Sequence, residues 1–134
     1  MARNWTQEYF GTGKYHNKKI NTEEGTFDSK YEYEEWCRLK LLERGGAISN
    51  LMRQVPYILI PTIRTTAGTL KQITYYADFV YEENGIVCMV DTKGFETETY
   101  KIKKRLLINQ YVTEQRIFIE RKKGKKDKIY QKSY

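Results

Sequence analysis

The sequence predicts an α/β (α+β-like) chain: a mixed central β-sheet flanked by helices, in α-β-β-β-α-β order. Three observations carry that expectation. A capped helical stretch closes on Gly45-Gly46. Two apolar strands meet at an Asn84-Gly85 turn. A second capped helix precedes a last apolar strand. With 134 residues the chain is one domain with a modest core, and no repeat or linker interrupts it.

Residues 1–26 are polar, carry Gly11 and Gly13, and read as a basic arm closing at a tight turn on Gly25. The first helix begins at Asp28 or Ser29. Ser29 and Glu32 form a capping box, with the hydroxyl on the third amide and the carboxylate reaching back to the cap. From Tyr31 to Arg44, Trp36, Leu39 and Leu42 build one apolar stripe. Gly45-Gly46 stops the helix, because glycine takes the left-handed cap conformation cheaply. A strand follows over Gln54 to Ile60, where Pro56 marks an edge or bulge. Thr62 to Leu70 reads as a short strand and loop, or as one irregular connection. Ile73 to Glu82 and Ile86 to Thr92 are the two arms of the hairpin. A helix capped by Thr97 runs to Tyr111, with Tyr100, Leu107 and Tyr111 on one side, and Ile117-Phe118-Ile119 is the last strand.

Charge is unevenly spread. The net charge is +7, and residues 121–134 hold seven Lys or Arg against one Asp, so the tail supplies all but one unit. A polyanion clamp and a solvated tail are both consistent with that. Cys37 and Cys88 stand alone in apolar patterns with His16 as the single histidine, which excludes a Cys/His zinc site and fits a reducing, cytoplasmic compartment. Apolar runs are strand-sized, so no membrane partner is expected.

The hairpin carries the chemistry. Counting back from Asn84-Gly85 sets Glu83 against Ile86, Glu82 against Val87 and Asp78 against Asp91, with Lys93 two residues on. Opposed side chains have Cβ atoms roughly 4.5–5.5 Å apart. Two carboxylates that close repel, and Val87 and Met89 on the Asp91 face add desolvation. A divalent cation, Mg²⁺ or Mn²⁺, removes the repulsion. Lys93 then stands within reach of the same metal or of a phosphate. The bland alternative is a solvent-facing trio.

At these residues the chain resembles the PD-(D/E)xK nuclease superfamily: Asp78 on one strand, then Asp91-Thr92-Lys93 on the next, with Ala77 where a proline usually precedes the first aspartate. It also looks like a family of small phage and prophage proteins placed in that superfamily. The matching segments are Lys14 to Lys19, Phe27 to Glu32, Tyr76 to Phe79, Asp91 to Gly94 and Tyr100 to Lys104. The resemblance implies a restriction-endonuclease-like core over residues 27–120, between the arm and the basic tail of residues 121–134. It implies an Mg²⁺- or Mn²⁺-dependent endonuclease with Asp78, Asp91 and Glu32 as metal ligands and Lys93 serving the hydrolytic water. Glu35, one turn beyond Glu32, is the alternative helix acid. The implied partner is DNA. A branched-DNA or junction resolvase acting in phage recombination, as a homodimer in the host cytoplasm, is the preferred biology. A restriction or packaging nuclease acting on duplex, and a non-catalytic DNA-binding accessory protein, are the alternatives.

Further DNA-contact candidates are Lys14, Lys18 and Lys19 on the arm, Gln54 at the mouth of the first strand, and Lys101 and Lys104 on one helix face. Arg121, Lys122, Lys123, Lys125 and Lys126 complete the set in the tail. Gln54 also reads as a water-holding group beside the acids or as an ordinary polar edge residue. Tyr130 and Tyr134 are the stacking candidates among twelve tyrosines.

Overall fold

The computed structural model describes residues 18–92 and 95–133. A small hairpin, β1 (Ile20–Thr22) and β2 (Gly25–Phe27), leads into α1 (Lys30–Arg44). Then come β3 (Ser49–Ile60), a separate ribbon of β4 (Ile63–Thr65) and β5 (Gly68–Leu70), and the long hairpin of β6 (Ile73–Glu83) and β7 (Ile86–Thr92). Next are α2 (Glu98–Tyr111), β8 (Arg116–Arg121) and β9 (Lys128–Tyr130). The central sheet has the order β3-β6-β7-β8-β9. All neighbours are antiparallel except β7 and β8, which α2 connects in parallel. The result is a mixed α/β fold with a central mixed sheet between two helices.

Local chemistry explains the elements. Ser29 Oγ accepts the Glu32 N–H at 3.1 Å, so α1 starts where its cap is. Gly46 takes φ +85° just past the end of the helix. Thr97 Oγ1 accepts the Tyr100 N–H at 3.0 Å and starts α2. Asn84 and Gly85 hold φ of 53° and 80°, as a type I′ turn requires. Pro56 is tolerated because β3 is the sheet edge.

The two faces of the sheet bury separate clusters. Leu39 of α1 packs with Phe79, Tyr81, Cys88, Val90 and Ile119, and Trp36 stacks on Phe79 at 6.0 Å. Tyr100 and Leu107 of α2 pack with Tyr75, Ala77, Val80, Met89 and Phe118. Val90 and Met89 divide between the clusters as strand alternation demands. On β6 the alternation fails. Ala77 faces α2, yet Phe79, two residues later, faces α1. Asp78 sits at that change of face.

Three expectations are revised here. The first strand is longer than its apolar run, starting at Ser49. Thr62 to Leu70 is an ordered two-stranded ribbon. The basic tail contributes a strand, β9, whose half-buried Tyr130 packs against Phe118 at 5.9 Å on the α2-side core. Tyr134 lies outside the described residues.

Candidate metal and nucleic acid site

The β6–β7 ladder runs from Glu83↔Ile86 to Phe79↔Val90 in the register counted from the turn, and its last pair falls one short of the two aspartates. At Asp78 and Asp91 side chains take over from the backbone. The Thr92 N–H donates to Asp78 Oδ2 at 2.9 Å, and Thr92 Oγ1 donates to the same oxygen at 3.0 Å. In return the Asp78 N–H reaches Asp91 Oδ1 at 3.4 Å. The fork between the strands is thus cross-braced by the acids themselves.

The edge strand takes an unusual backbone angle at the same level. Gln54 lies between the pairs Arg53↔Phe79 and Val55↔Ala77, and holds φ 53° in the left-handed region. That conformation aims its amide inward. Gln54 Nε2 donates to Asp78 Oδ1 at 3.3 Å and to Glu32 Oε2 at 3.4 Å. Glu32 is 3% exposed. Burial first, then the charges of Asp78 and Asp28, push its carboxyl up to about 7, with Arg53 at 3.8 Å opposing. Arg53 is itself fixed over the Phe27 ring at 3.7 Å and donates to Thr26 O at 2.9 Å.

Asp91 is held from the α2 side. It is 2% exposed, and the Tyr75 hydroxyl donates to its Oδ2. Burial and then the Asp91 charge drive the Tyr75 phenol far above its ordinary range, so it stays a protonated donor. Beside Asp91 in the parallel register is Glu120. Burial raises Glu120, but hydrogen bonds from Tyr100 at 2.6 Å, Lys104 at 2.9 Å and Tyr130 at 3.0 Å hold it below the usual carboxylate range. A cleft of about 240 Å³, lined by Thr74, Tyr75, Tyr76, Asp91, Thr97 and Lys103, opens on this side.

Among the described residues, no group of three or more His, Cys, Asp or Glu side chains is arranged to hold a metal ion. The three acids expected to converge, Glu32, Asp78 and Asp91, are joined around the fork by hydrogen bonds. Glu32 meets Asp78 through the Gln54 amide, and Asp91 turns toward Tyr75. The Glu32 carboxylate reaches Gln54 and also takes a backbone hydrogen bond at Asp28, one residue before the cap. Glu35 is elsewhere. Burial would raise it, but hydrogen bonds and charge from Arg38 and Arg121 hold it low, at 2.9 and 3.1 Å.

The cationic candidates separate by environment. Lys93 and Lys14 lie outside the described residues. Lys104 is drawn into Glu120 and Glu96, Arg121 into Glu35 and Asp127, and Lys122 into Glu96. Lys19 pairs with Asp28, and Lys101 with Glu98, both at the surface. Lys18, Lys123, Lys125 and Lys126 are exposed, the last three in the turn between β8 and β9. Sequence reasoning missed Tyr75 and Thr92. Thr92 had a signal, being the middle residue of Asp91-Thr92-Lys93. Tyr75 had none, because its contact with Asp91 depends on where the strands part.

A family described as a protein of unknown function, DUF1064, matches residues 12–128. Comparison with curated proteins gave no match, and neither did comparison with solved structures. No helix among the described residues is long and apolar enough to cross a membrane.

Proposed function

We propose that this chain, which belongs to the DUF1064 family, is an Mg²⁺- or Mn²⁺-dependent endodeoxyribonuclease. The observation that carries the reading is the strand fork. Two nearly fully buried aspartates replace the ladder where β6 and β7 part, and a strained glutamine links one of them to a third acid. Burying acids together costs stability and suggests a cationic ligand. The element order α1-β3-β6-β7-α2-β8, with the β4–β5 ribbon as an insertion, supports a restriction-endonuclease-like core.

The donors fit hydrated Mg²⁺ better than a closed carboxylate cage. Mg²⁺ takes one or two carboxylates and keeps its waters. Asp78 Oδ2 is occupied by Thr92, while Oδ1 has a long contact to Gln54 that a cation can replace. Asp78 and Asp91 would hold the ion. When bound, it would neutralise phosphate charge and make its water more acidic. Tyr75 and Thr92 fix the orientation of the two acids. Glu32, near half-protonation at neutral pH, shares the Gln54 amide and buffers the charge beside Asp78. Lys93 orients the attacking water or offsets charge on the phosphorane-like transition state, in a direct in-line hydrolysis with no covalent enzyme intermediate. Branched DNA is the preferred substrate in this reading. Two symmetric cuts then call for a homodimer.

The test uses branched, duplex and single-stranded DNA with Mg²⁺ or Mn²⁺, comparing wild type with Asp91→Asn. Loss of several kcal/mol of charge stabilisation predicts a fall of about a hundredfold or more. Equal cleavage by both proteins overturns the assignment. The lack of a three-acid cluster among the described residues favours one rival, a non-catalytic DNA-binding protein. That rival predicts salt-sensitive binding and no Mn²⁺ heat in titration calorimetry.

A further inference from the structure

We propose that the β4–β5 ribbon is a DNA-groove finger, a second contact point on the same duplex that the strand fork engages. This rests on the proposed DNA substrate and adds a recognition element to it.

Four observations combine. Residues 61–73 are all exposed, yet they form a registered antiparallel ribbon with the pairs Ile63↔Leu70, Arg64↔Thr69 and Thr65↔Gly68. The ribbon is closed at its tip by Thr65, whose Oγ1 accepts the Ala67 N–H and donates to Gly68 O. Its faces are unlike. Ile63 and Leu70, 44% and 58% exposed, oppose one another and staple the two strands. Arg64 and Thr69 share the other face, and Lys71 continues it by alternation. Finally, between Glu43 and Asp78 the sequence contains no Asp or Glu, while Arg44, Arg53, Arg64 and Lys71 are all cationic.

These features select the occupant. A narrow two-stranded ribbon fits the B-DNA major groove, which is about 12 Å wide. Arg, Lys, Thr and Gln are the side chains that meet phosphates and base edges there. An acid-free projection has no repulsive group to bring against the backbone. The ribbon also springs from the correct strands. Its root at Ile73 is five residues along β6 from Asp78, about 17 Å. A duplex whose phosphate lies at the fork therefore passes the ribbon within about one helical turn.

The experiment measures binding of a fluorescein-labelled 30-base-pair duplex by the full chain in EDTA, so that cleavage plays no part. Wild type is compared with the double variant Arg64→Gln/Lys71→Gln across salt. Loss of two phosphate contacts lowers the log–log salt slope by about 2. At low salt the variant should bind about tenfold more weakly, with an unchanged thermal melt as the folding control. Identical affinity and slope in the two proteins overturn the finger. A second pair, Ile63→Thr/Leu70→Thr, tests the rival occupant. Conversion of a dimer to a monomer in sedimentation, with DNA affinity intact, assigns the ribbon to a second copy of the chain and overturns the proposal. The nuclease reading fails separately: wild type that binds through the ribbon but never cuts with Mn²⁺ refutes catalysis and leaves the finger standing.

Discussion

Replacing Glu32 by Gln isolates the electrostatic cost of the site. Glu32 has a folded pKa of about 7 against 4.5 in the free chain. The folded state therefore holds the proton more tightly than the unfolded state. A raised folded pKa contributes stability that is fully present below about pH 4.5 and lost as pH rises through about 7. The gap between 4.5 and about 7, at about 1.4 kcal/mol per pH unit, is worth about 3 kcal/mol. Arg53 opposes the shift and is already included in the net value. Glutamine keeps the shape and the contact to Gln54 but cannot ionise. In urea denaturation without metal, Glu32→Gln should gain on wild type by about 2–3 kcal/mol between pH 5 and pH 8. With m near 1–3 kcal/mol/M, that moves the midpoints apart by about 0.7–3 M. Acids remote from Glu32 contribute equally in both proteins and drop out of the difference. Glu35, Glu96 and Glu120, whose pKa values are lowered, lose their contribution only at more acid pH. A stability difference that is the same at pH 5 and pH 8 refutes the claim that Glu32 is buried against the Asp78 charge.

Tyr75→Phe removes the hydroxyl that faces Asp91 and leaves that buried carboxylate one donor short. The expected loss is about 1–3 kcal/mol in denaturation, with weaker Mn²⁺ binding by calorimetry, and no change in either would show the contact to be idle. Gly25→Ala combines two faults. The position has φ +121°, and a Cβ there would come within 2.9 Å of the Arg53 guanidinium. It should cost about 1–3 kcal/mol and lift Arg53 from Phe27, and an unaltered denaturation midpoint would contradict it.

The fold was legible where local chemistry decides it. Ser29, Gly45-Gly46, Thr97 and Asn84-Gly85 each fix an end or a turn through bonds within a few residues. Register was legible too, because a two-residue turn leaves one pairing available. What escaped depends on distant partners. β9 is short and lysine-bearing, and is a strand only because β8 offers it an edge. Lys104 and Lys101 share a face by spacing, yet one meets the buried Glu120 and the other a surface Glu98. At the site, Asp78 and Asp91 were legible as an opposed pair. Their divergence was not, since it needs β6 to change face between Ala77 and Phe79, which no periodic pattern in the strand announces.

Gln54 shows what holds that divergence in place. Among the described residues, three that are not glycine have positive φ: Asn50, Gln54 and Asn84. Asparagine visits this region readily, but glutamine has no such preference, and the conformation costs about 1–2 kcal/mol. Its two amide contacts, at 3.3 and 3.4 Å, are too long to offset that strain. Stability alone would place glycine there. Gln54→Gly should accordingly fold at least as stably as wild type and about 1 kcal/mol more stably than Gln54→Ala, which keeps the strain and loses the amide. Both variants should lose DNA cleavage to a similar degree, because both remove the link between Glu32 and Asp78. A Gly variant less stable than the Ala variant would show the backbone angle to be unstrained. Full cleavage by both would show that the glutamine serves the strand and not the site.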